Sequence, residues 1–329
     1  MNKSLSRRNF FKLIGVASIA TSAKANTNQP KTIGSIIDLG LCDGCKSYDM
    51  PMCVKACRTK NESIFPQPIE NIPDYFPRKG YEDHSKNKND ISYLSPYNFT
   101  YIQEAKVDDK TVFIPRRCMH CDDPTCQKTC PFGVIHKEKN GAVIIDYNGC
   151  MGGSKCKEVC PWHIPQRQAG VGIYLKIAPM FAGGGVMYKC DSCADLLAKN
   201  ERPVCETSCP KNAILFMDKD EALKIAKEKA KIYASNSKYS GTFIYGDKQN
   251  GGTSTFYVSP VPFEKIQNAI KEDIKNAPKA KKQKITNLNV NINNKLNDSS
   301  SLVTSILFMP LLGIIAGSAL KSRKKDEDK

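Results

Sequence analysis

Residues 118–131 read CMHCDDPTCQKTCP, a run in which four cysteines are spaced C-x2-C-x4-C-x3-C and followed by proline. The chain has 329 residues and 15 cysteines, and the other cysteines form three similar groups, in residues 42–57, 150–160 and 190–209. No cysteine lies outside the four groups. Burial alone would not collect cysteines in this way, so the grouping indicates a shared chemical role.

The spacing within the groups is typical of iron–sulfur ligands. Three thiolates on one tight loop can reach three corners of a cubic cluster, and the fourth corner takes a cysteine from elsewhere, typically the one in a C-x3-C-P ending. Zinc also binds C-x2-C pairs, but it does not require that ending, which three groups have at Pro131, Pro161 and Pro210. The sequence predicts iron–sulfur clusters. A zinc-stabilised, membrane-tethered adaptor is the alternative from another functional class.

All the cysteines are candidate iron ligands. Their odd number and their spacing argue against a disulfide framework, even in an exported protein. The predicted ligands are Cys42, Cys45, Cys53, Cys57, Cys118, Cys121, Cys126, Cys130, Cys150, Cys156, Cys160, Cys190, Cys193, Cys205 and Cys209.

The third group lacks one expected ligand. Cys150 is followed by Gly153 at the position where the other groups have their second cysteine. Glycine has no side chain, so we expect a [3Fe–4S] cluster, in which the unligated iron is absent. The alternative is a [4Fe–4S] cluster completed by water or by a nearby group such as Ser154.

Few other residues suggest chemistry. His120 and His163 lie inside or beside cysteine loops and could hydrogen-bond a cluster sulfur. The simpler interpretation is that they have no specific role and only occupy space in the loops. Trp162 and Lys189 flank candidate ligands and could tune a reduction potential through burial or charge. The sequence shows no nucleophile–base pair and no phosphate-binding loop. It therefore predicts an electron carrier without a catalytic site of its own.

The two ends of the chain have targeting features. Residues 6–12 read SRRNFFK and precede a short apolar run and Ala23-Lys24-Ala25, so residues 1–25 are similar to a twin-arginine signal peptide. The alternative is a chance Arg-Arg pair. Residues 302–320 contain no charge and are followed by basic residues, which predicts a transmembrane anchor at 301–321 with a cytoplasmic basic tail at 322–329. A buried core helix is the alternative.

Between these ends we expect an α+β fold. Residues 26–265 are predicted to form the electron-transfer domain, with a long irregular insert at about 61–117, and residues 266–300 a flexible polar linker. Within the domain, residues 134–136 and 142–146 predict a hairpin across Asn140-Gly141. Residues 213–217 predict a strand, and a helix should run from Asp220 to about Ala234.

With these features together, the chain resembles the four-cluster iron–sulfur subunits of membrane-bound bacterial respiratory oxidoreductases. The resemblance covers about residues 35–220 through the order of the cysteine groups. Within that family the strings LSPY at 94–97, RRCMHCDDPTC at 116–126 and VPFE at 261–264 look most similar to the membrane-anchored electron-transfer subunits of hydrogenase-2-type periplasmic [NiFe] hydrogenases. The resemblance implies two ferredoxin-like halves.

The resemblance also implies how the cysteines are shared among four clusters. Groups one and four would hold two clusters, and groups two and three the other two. The implied sets are A (Cys42, Cys45, Cys53, Cys209), B (Cys57, Cys190, Cys193, Cys205), C (Cys118, Cys121, Cys126, Cys160) and D (Cys130, Cys150, Cys156, with Gly153 in place of a ligand). The implied cofactors are three [4Fe–4S] clusters and one [3Fe–4S] or incompletely cysteine-ligated [4Fe–4S] cluster.

The function implied by the resemblance is a relay of electrons from hydrogenase subunits to a quinone-reducing integral membrane subunit. It would work at the periplasmic face of the inner membrane, with lipid contacting the C-terminal helix. The same relay could serve a molybdenum or tungsten enzyme such as formate dehydrogenase or a sulfur-compound or nitrite reductase. Nucleic acid is not an expected partner despite the net charge of +16, because no aromatic or helical reading surface accompanies the charge.

Overall fold

The structure is a computed structural model that describes residues 31–74, 80–177, 179, 184–278, 282 and 284–294. The described strands are β1 (Ile33–Asp38), β2 (Tyr101–Val107), β3 (Lys110–Arg116), β4 (Ile135–Lys137), β5 (Val143–Ile145), β6 (Gln166–Gln168), β7 (Val186–Tyr188), β8 (Ile214–Asp218), β9 (Ile244–Tyr245) and β10 (Thr255–Val258). The described helices are α1 (Met52–Asn61), α2 (Thr125–Lys128), α3 (Lys155–Val159), α4 (Tyr174–Ile177), α5 (Ala194–Leu197), α6 (Val204–Thr207), α7 (Lys219–Ser235) and α8 (Phe263–Asn276).

A four-stranded sheet in the order β8-β1-β10-β9 forms the centre of the fold. Its strand β1 pairs antiparallel with β8 and parallel with β10. Successive side chains of a strand point to opposite faces, so Ile36 packs with α7 on one face while Ile37 joins the main core on the other. Because both faces are covered, β1 is almost entirely buried, which explains its apolar sequence IGSIID.

Helix α7 confirms the helix expected from Asp220 onward. The Asp218 side chain accepts hydrogen bonds from the amides of Asp220 and Glu221 and so caps the first turn. One narrow face packs on the sheet through small residues four positions apart, which are Ala222, Ala226 and Ala230. Buried Asp38, at the end of β1, accepts from Lys229 and Tyr233 at 2.6 Å each and fixes the helix on the sheet.

Outside this sheet, the described strands form three separate antiparallel pairs, which are β2 with β3, β4 with β5, and β6 with β7. The β4–β5 hairpin confirms the predicted one, with Ile135 opposite Ile145. Its turn contains Gly141 at φ +89°, a conformation that glycine adopts at little cost. Such short hairpins leave the cysteine loops at their ends.

The insert at about 61–117 is more regular than expected. It contains the β2–β3 hairpin, which has seven paired positions from Tyr101–Arg116 to Val107–Lys110. Alternate residues of β2 are buried in the main core, beginning with Tyr101 and Ala105. The prediction of an irregular surface insert is therefore wrong for this part, because one face of the hairpin completes the core.

The polar stretch 266–300 also differs from the predicted flexible linker. Helix α8 runs through its start and buries Phe263, Ile266 and Ile270 at helical spacing. Residues 284–294, which we call the C-terminal strap, lie along the body. The Asn287 carbonyl accepts from Arg116 at 2.6 Å, and the Ile292 carbonyl accepts from the Asn250 amide at 2.9 Å. The strap is also held by its side chains, since Leu288 is buried in the main core. The prediction of a flexible linker is therefore wrong for these residues.

The predicted fold class needs one further correction. It included a C-terminal transmembrane helix, but no helix among the described residues is long and apolar enough to cross a membrane. Residues 301–321 lie outside the described residues, as do the predicted signal peptide at 1–25 and tail at 322–329. The fold that the described residues form is a mixed helix-and-strand, ferredoxin-like arrangement.

Candidate functional site

Four cysteines from groups one and four meet at one end of the fold. Cys42, Cys45, Cys53 and Cys209 line a recess with about 320 Å³ of space between atoms, its opening included. They are the cysteines that the resemblance implied for set A. The loop that carries the first two turns sharply, since Gly44 and Cys45 have φ of +69° and +54°.

A second recess brings together the four cysteines of set B. Cys57, Cys190, Cys193 and Cys205 line about 350 Å³ of space, again with the opening included. The loop between Cys190 and Cys193 turns in the same left-handed way, and the Ser192 amide donates to the Cys190 sulfur at 3.4 Å. Such amide–sulfur contacts stabilise negative charge on sulfur.

Helix α1 makes sets A and B neighbours. Cys53 and Cys57 are four residues apart on it, and side chains at this spacing lie on one face about 5–6 Å apart at Cβ. One of the two lines set A and the other set B. Cys205 and Cys209 have the same four-residue separation and are divided between the same two sets.

The cysteines of set C lie close enough together to influence one another's pKa. The pKa of Cys121 is raised well above its ordinary value, first by burial and then by the neighbouring thiolates Cys118, Cys160 and Cys126. These four cysteines are the implied set C. The Asn250 side chain donates to the Cys121 sulfur at 3.3 Å, and sequence reasoning did not single out this contact.

Set D contains three cysteines and a glycine. Cys130, Cys150 and Cys156 line a recess of about 340 Å³, opening included, and Gly153 and Ser154 line it too. A Cβ atom placed on Gly153 would have no heavy atom within 4 Å, so the missing side chain leaves open space. The Ser154 hydroxyl donates to the Met187 sulfur at 3.5 Å.

The residues that the sequence singled out beside the cysteines have different surroundings. His120 is buried, and its Nε2 lies 3.8 Å from the Cys190 sulfur. His163 instead contacts the Lys157 carbonyl at 3.2 Å. Trp162 belongs to the main core and donates to the Tyr245 hydroxyl at 2.7 Å. Lys189 is buried and donates to the Val143 carbonyl.

Arg117 is a site residue that sequence reasoning missed. It lines the set B recess and is 2% exposed, yet its Nε and Nη1 have no hydrogen-bond partner among the described residues. Burial lowers the pKa of Arg117, but the Cys190 and Cys205 thiolates raise it by more. One signal could have revealed it, since Arg117 directly precedes Cys118 as Lys189 directly precedes Cys190.

The chemistry of the thiols shows what the recesses can hold. Burial is the largest influence on them and raises the pKa to about 12 for Cys42, Cys193 and Cys205. Metals bind the thiolate form and deprotonate a coordinating thiol outright. Clustered buried thiols beside a buried guanidinium, two of whose nitrogens are unpaired among the described residues, therefore fit a group that carries both metal cations and sulfur acceptors.

The number of cysteines around each recess favours a polynuclear group. The described residues contain no group of three or more His, Cys, Asp or Glu side chains placed to hold one metal ion. The recesses of sets A and B are instead each lined by four cysteines, and that of set D by three, which are the ligand numbers that cubic iron–sulfur clusters take. All fifteen cysteines are free thiols in the structure, and their role as iron ligands stays a prediction.

Comparison with known proteins agrees with this chemistry. Residues 41–134 match one 4Fe-4S dicluster domain family, and residues 109–219 match a second. The nitrate-inducible formate dehydrogenase iron–sulfur subunit of Escherichia coli K12 is 30% identical over 69% of this chain and 67% of its own length. This chain therefore belongs to the same family of iron–sulfur subunits.

Two other relatives extend the range of the family. The hydrogenase-2 operon protein HybA of Escherichia coli O157:H7 is 27% identical over 80% of this chain and 83% of its own length. The B subunit of the anaerobic dimethyl sulfoxide reductase of Escherichia coli K12 is 29% identical over 58% of this chain and 76% of its own. As a member of the iron–sulfur subunit family, the protein binds iron–sulfur clusters and transfers electrons within a larger oxidoreductase.

Proposed function

We propose that this iron–sulfur subunit relays electrons through four clusters from a periplasmic [NiFe] hydrogenase to a quinone-reducing membrane subunit. The observation that supports the relay is that each of the proposed cysteine sets A, B, C and D shares a chain segment or a contact with the next set. Helix α1 links set A to set B through Cys53 and Cys57. His120 lies between sets B and C, because it is part of the Cys118–Cys121 loop and its ring reaches Cys190.

Sets C and D are linked in the same way as sets A and B. Cys126 and Cys130 are four residues apart, as are Cys156 and Cys160. In each pair, one cysteine belongs to set C and the other to set D. The thiolate charges of Cys126 and Cys150 act on Cys156, which supports the closeness of the two sets. A row without a gap is what stepwise electron transfer requires.

The proposed cofactors are three [4Fe–4S] clusters at sets A, B and C and one [3Fe–4S] cluster at set D. When bound, these groups supply one-electron transfer at potentials set by cluster type, charge, hydrogen bonds and solvent exposure. The chain provides the thiolates, and buried apolar side chains keep water away from them. Gly153 is the reason to propose a cluster with three irons at set D.

Backbone and side-chain donors near the sulfurs hold the ligands in place. The Met187 amide donates to the Cys150 sulfur at 3.4 Å, and the Ala213 amide donates to the Cys209 sulfur at 3.3 Å. Asn61 donates to the Cys57 carbonyl at 2.8 Å and approaches its sulfur at 3.6 Å. These contacts stabilise the thiolate charge and orient the cysteines, as outer contacts do at other metal sites.

Hydrogenase is the proposed electron donor because HybA, named for a hydrogenase-2 operon, aligns over 80% of this chain and 83% of its own length. The twin-arginine-like pattern at Arg7-Arg8 supports export of the loaded protein to the periplasm. The second candidate is a relay for a molybdenum or tungsten enzyme, favoured by the 30% identity to the formate dehydrogenase subunit.

The test is metal analysis of the intact complex. The chain is tagged, the complex is extracted from membranes in mild detergent under anaerobic conditions, and an untagged strain serves as the control. We expect iron together with nickel, and hydrogen-dependent reduction of a quinone analogue. Iron with molybdenum or tungsten would support the second candidate and contradict hydrogenase. Zinc without iron would overturn the relay itself.

A further inference from the structure

Three basic side chains are buried where set B meets set C. Arg117 and His120 are each 2% exposed, and Lys189 is 3% exposed. Arg117 and Lys189 each directly precede the first cysteine of a C-x2-C loop, so two different cysteine loops each contribute one cation. Buried basic groups are rare unless a negative partner compensates them.

The contacts of Arg117 point to a partner in the recess of set B. Its Nη2 donates to the Ser35 hydroxyl, and its guanidinium lies over the Phe216 ring at 4.9 Å. Its Nε and Nη1 have no acceptor among the described residues. Buried donors without an acceptor are costly. Sulfur atoms of a bound cluster would supply acceptors and negative charge at this place.

His120 adds a directed donor to the same set. Its Nδ1 accepts from the Val143 amide at 2.9 Å, so this nitrogen carries no proton and the ring is neutral. The proton is then on Nε2, which faces the Cys190 sulfur at 3.8 Å. The hydrogen bond that Nδ1 accepts therefore makes Nε2 the donor, and Nε2 faces Cys190 of set B.

Lys189 is the third buried basic residue between sets B and C. Its Nζ donates to the Val143 carbonyl and, at 3.1 Å, to the Cys190 carbonyl. Val143 therefore contacts both His120 and Lys189. The shared contact fixes the position of a positive charge beside Cys190.

Set A has no comparable buried cation among its lining residues. The basic residue there is Lys211, whose side chain is 54% exposed and paired with Asp43 at 3.3 Å. Solvent and the aspartate screen its charge. The two neighbouring sets thus have the same number of cysteines but different electrostatic surroundings.

We propose that Arg117, supported by His120 and Lys189, raises the reduction potential of the cluster at set B above that of the cluster at set A. Reduction adds one negative charge to a cluster, and a fixed buried cation stabilises the reduced form. Arginine suits this role because its charge is permanent. The inference rests on the proposed cluster at set B and treats the three residues as positioning residues.

The test is a redox titration followed by electron paramagnetic resonance on the purified, cluster-loaded protein. In Arg117→Gln we expect one [4Fe–4S] midpoint to fall, with the reduction equilibrium changed at least about tenfold, which is about 59 mV for one electron. Arg117→Lys should restore most of the shift. Arg116→Gln is the matched control, because neighbouring Arg116 is also buried but donates to the Asn287 carbonyl.

The outcomes separate this inference from the proposed function. Absence of iron–sulfur signals in the wild-type protein would contradict the proposed function. Unchanged midpoints in Arg117→Gln at full iron content would overturn the inference alone, as would an equal shift in Arg116→Gln. If Arg117→Gln loses a cluster, the midpoints of the His120→Phe variant are measured instead and decide whether the inference holds. A lower midpoint supports the inference, and an unchanged one overturns it.

Discussion

Sets B and D are built from the same kind of cysteine loop but differ in what surrounds the thiols. Set B has four cysteines and a buried guanidinium from Arg117. Set D has three cysteines, and Gly153 takes the place of the fourth. The space beside Gly153 is open rather than filled by another side chain. The comparison teaches that a single residue, Cys193 in set B and Gly153 in set D, sets the number of thiols that line a recess.

Removing one thiolate from set B should have the largest effect. Cys205→Ala would leave a three-cysteine set like set D, but it would also leave Arg117 buried beside a weakened negative partner. An uncompensated buried charge costs about 3–5 kcal/mol. We expect the set B cluster to be lost, with about four fewer irons per chain in a colorimetric assay.

The matched control for this change is Thr207→Ala. Thr207 lies on the same helix as Cys205, but it is exposed, and its hydroxyl donates to the Val204 carbonyl. Its iron content should equal that of the wild-type protein. Retention of three irons at set B in Cys205→Ala would show that three cysteines suffice there and would contradict the account.

Adding a thiolate to set D should convert its cluster. Gly153→Cys places a sulfur in open space, so we expect about one additional iron per chain and loss of the oxidised [3Fe–4S] resonance signal. Gly153→Ala fills the same space without a ligand and should change neither quantity. Equal iron content in both variants would argue that the fourth position of set D is already occupied.

Removing one hydrogen bond to a cysteine of set C should have a smaller effect on a reduction potential. Asn250 donates to the Cys121 sulfur at 3.3 Å from a backbone with φ +55°. Asn250→Gly keeps that conformation and removes the donor. A hydrogen bond is worth about 1 kcal/mol, so one midpoint should fall by less than about 59 mV. Redox titration would measure it, and a rise in the midpoint would contradict the expected direction.

The loop of set D is held by an ion pair whose loss should have the smallest effect. Arg167 donates to the Gly152 carbonyl at 3.0 Å and to Glu82 at 2.8 Å. Burial raises the pKa of Glu82, but Lys157 and Arg167 lower it by more, so the net shift is downward from its ordinary value. Glu82→Gln should cost about 0.5–1 kcal/mol at pH 7, because the carboxylate is partly exposed and therefore screened.

The pH dependence of that cost follows from the sign of the shift. A carboxyl with a lowered pKa contributes its stability above the unfolded value and loses it as pH falls through the folded value. The difference in thermal denaturation midpoint between Glu82→Gln and wild type should therefore shrink below about pH 4.5. Glu158→Gln, which removes an exposed pair with Lys155, is the control. A difference that grows toward low pH would contradict this assignment.

Much of the site followed from cysteine spacing. The C-x2-C and C-x3-C-P spacing predicted iron–sulfur ligands. The division of the cysteines into sets A to D was implied by the resemblance to four-cluster iron–sulfur subunits. Arg117 and Asn250 could not be found this way, because their contacts join residues far apart in the chain. Arg117 meets Ser35, and Asn250 meets Cys121.

The fold outside the cysteine loops was predicted less completely. The capped, alanine-spaced helix α7 and the Asn-Gly hairpin have local signals, and both were confirmed. The strap at 284–294 alternates apolar residues with asparagine at Leu288, Val290 and Ile292, and these side chains lie in or against the main core. The high Lys and Asn content of the whole stretch nevertheless favoured a flexible linker. Buried and more exposed residues alternate along β2. The composition of the surrounding insert, which is rich in Pro, Asn and Tyr, predicted irregular structure instead. The transmembrane helix in the predicted fold class is contradicted, because no helix among the described residues is long and apolar enough to cross a membrane.

The most direct test of the central claim is the iron and acid-labile sulfide content of the anaerobically purified wild-type chain. The account predicts about 15 irons and about 16 sulfides per chain, for three [4Fe–4S] clusters and one [3Fe–4S] cluster. A value near eight irons, or zinc in place of iron, would contradict a four-cluster relay.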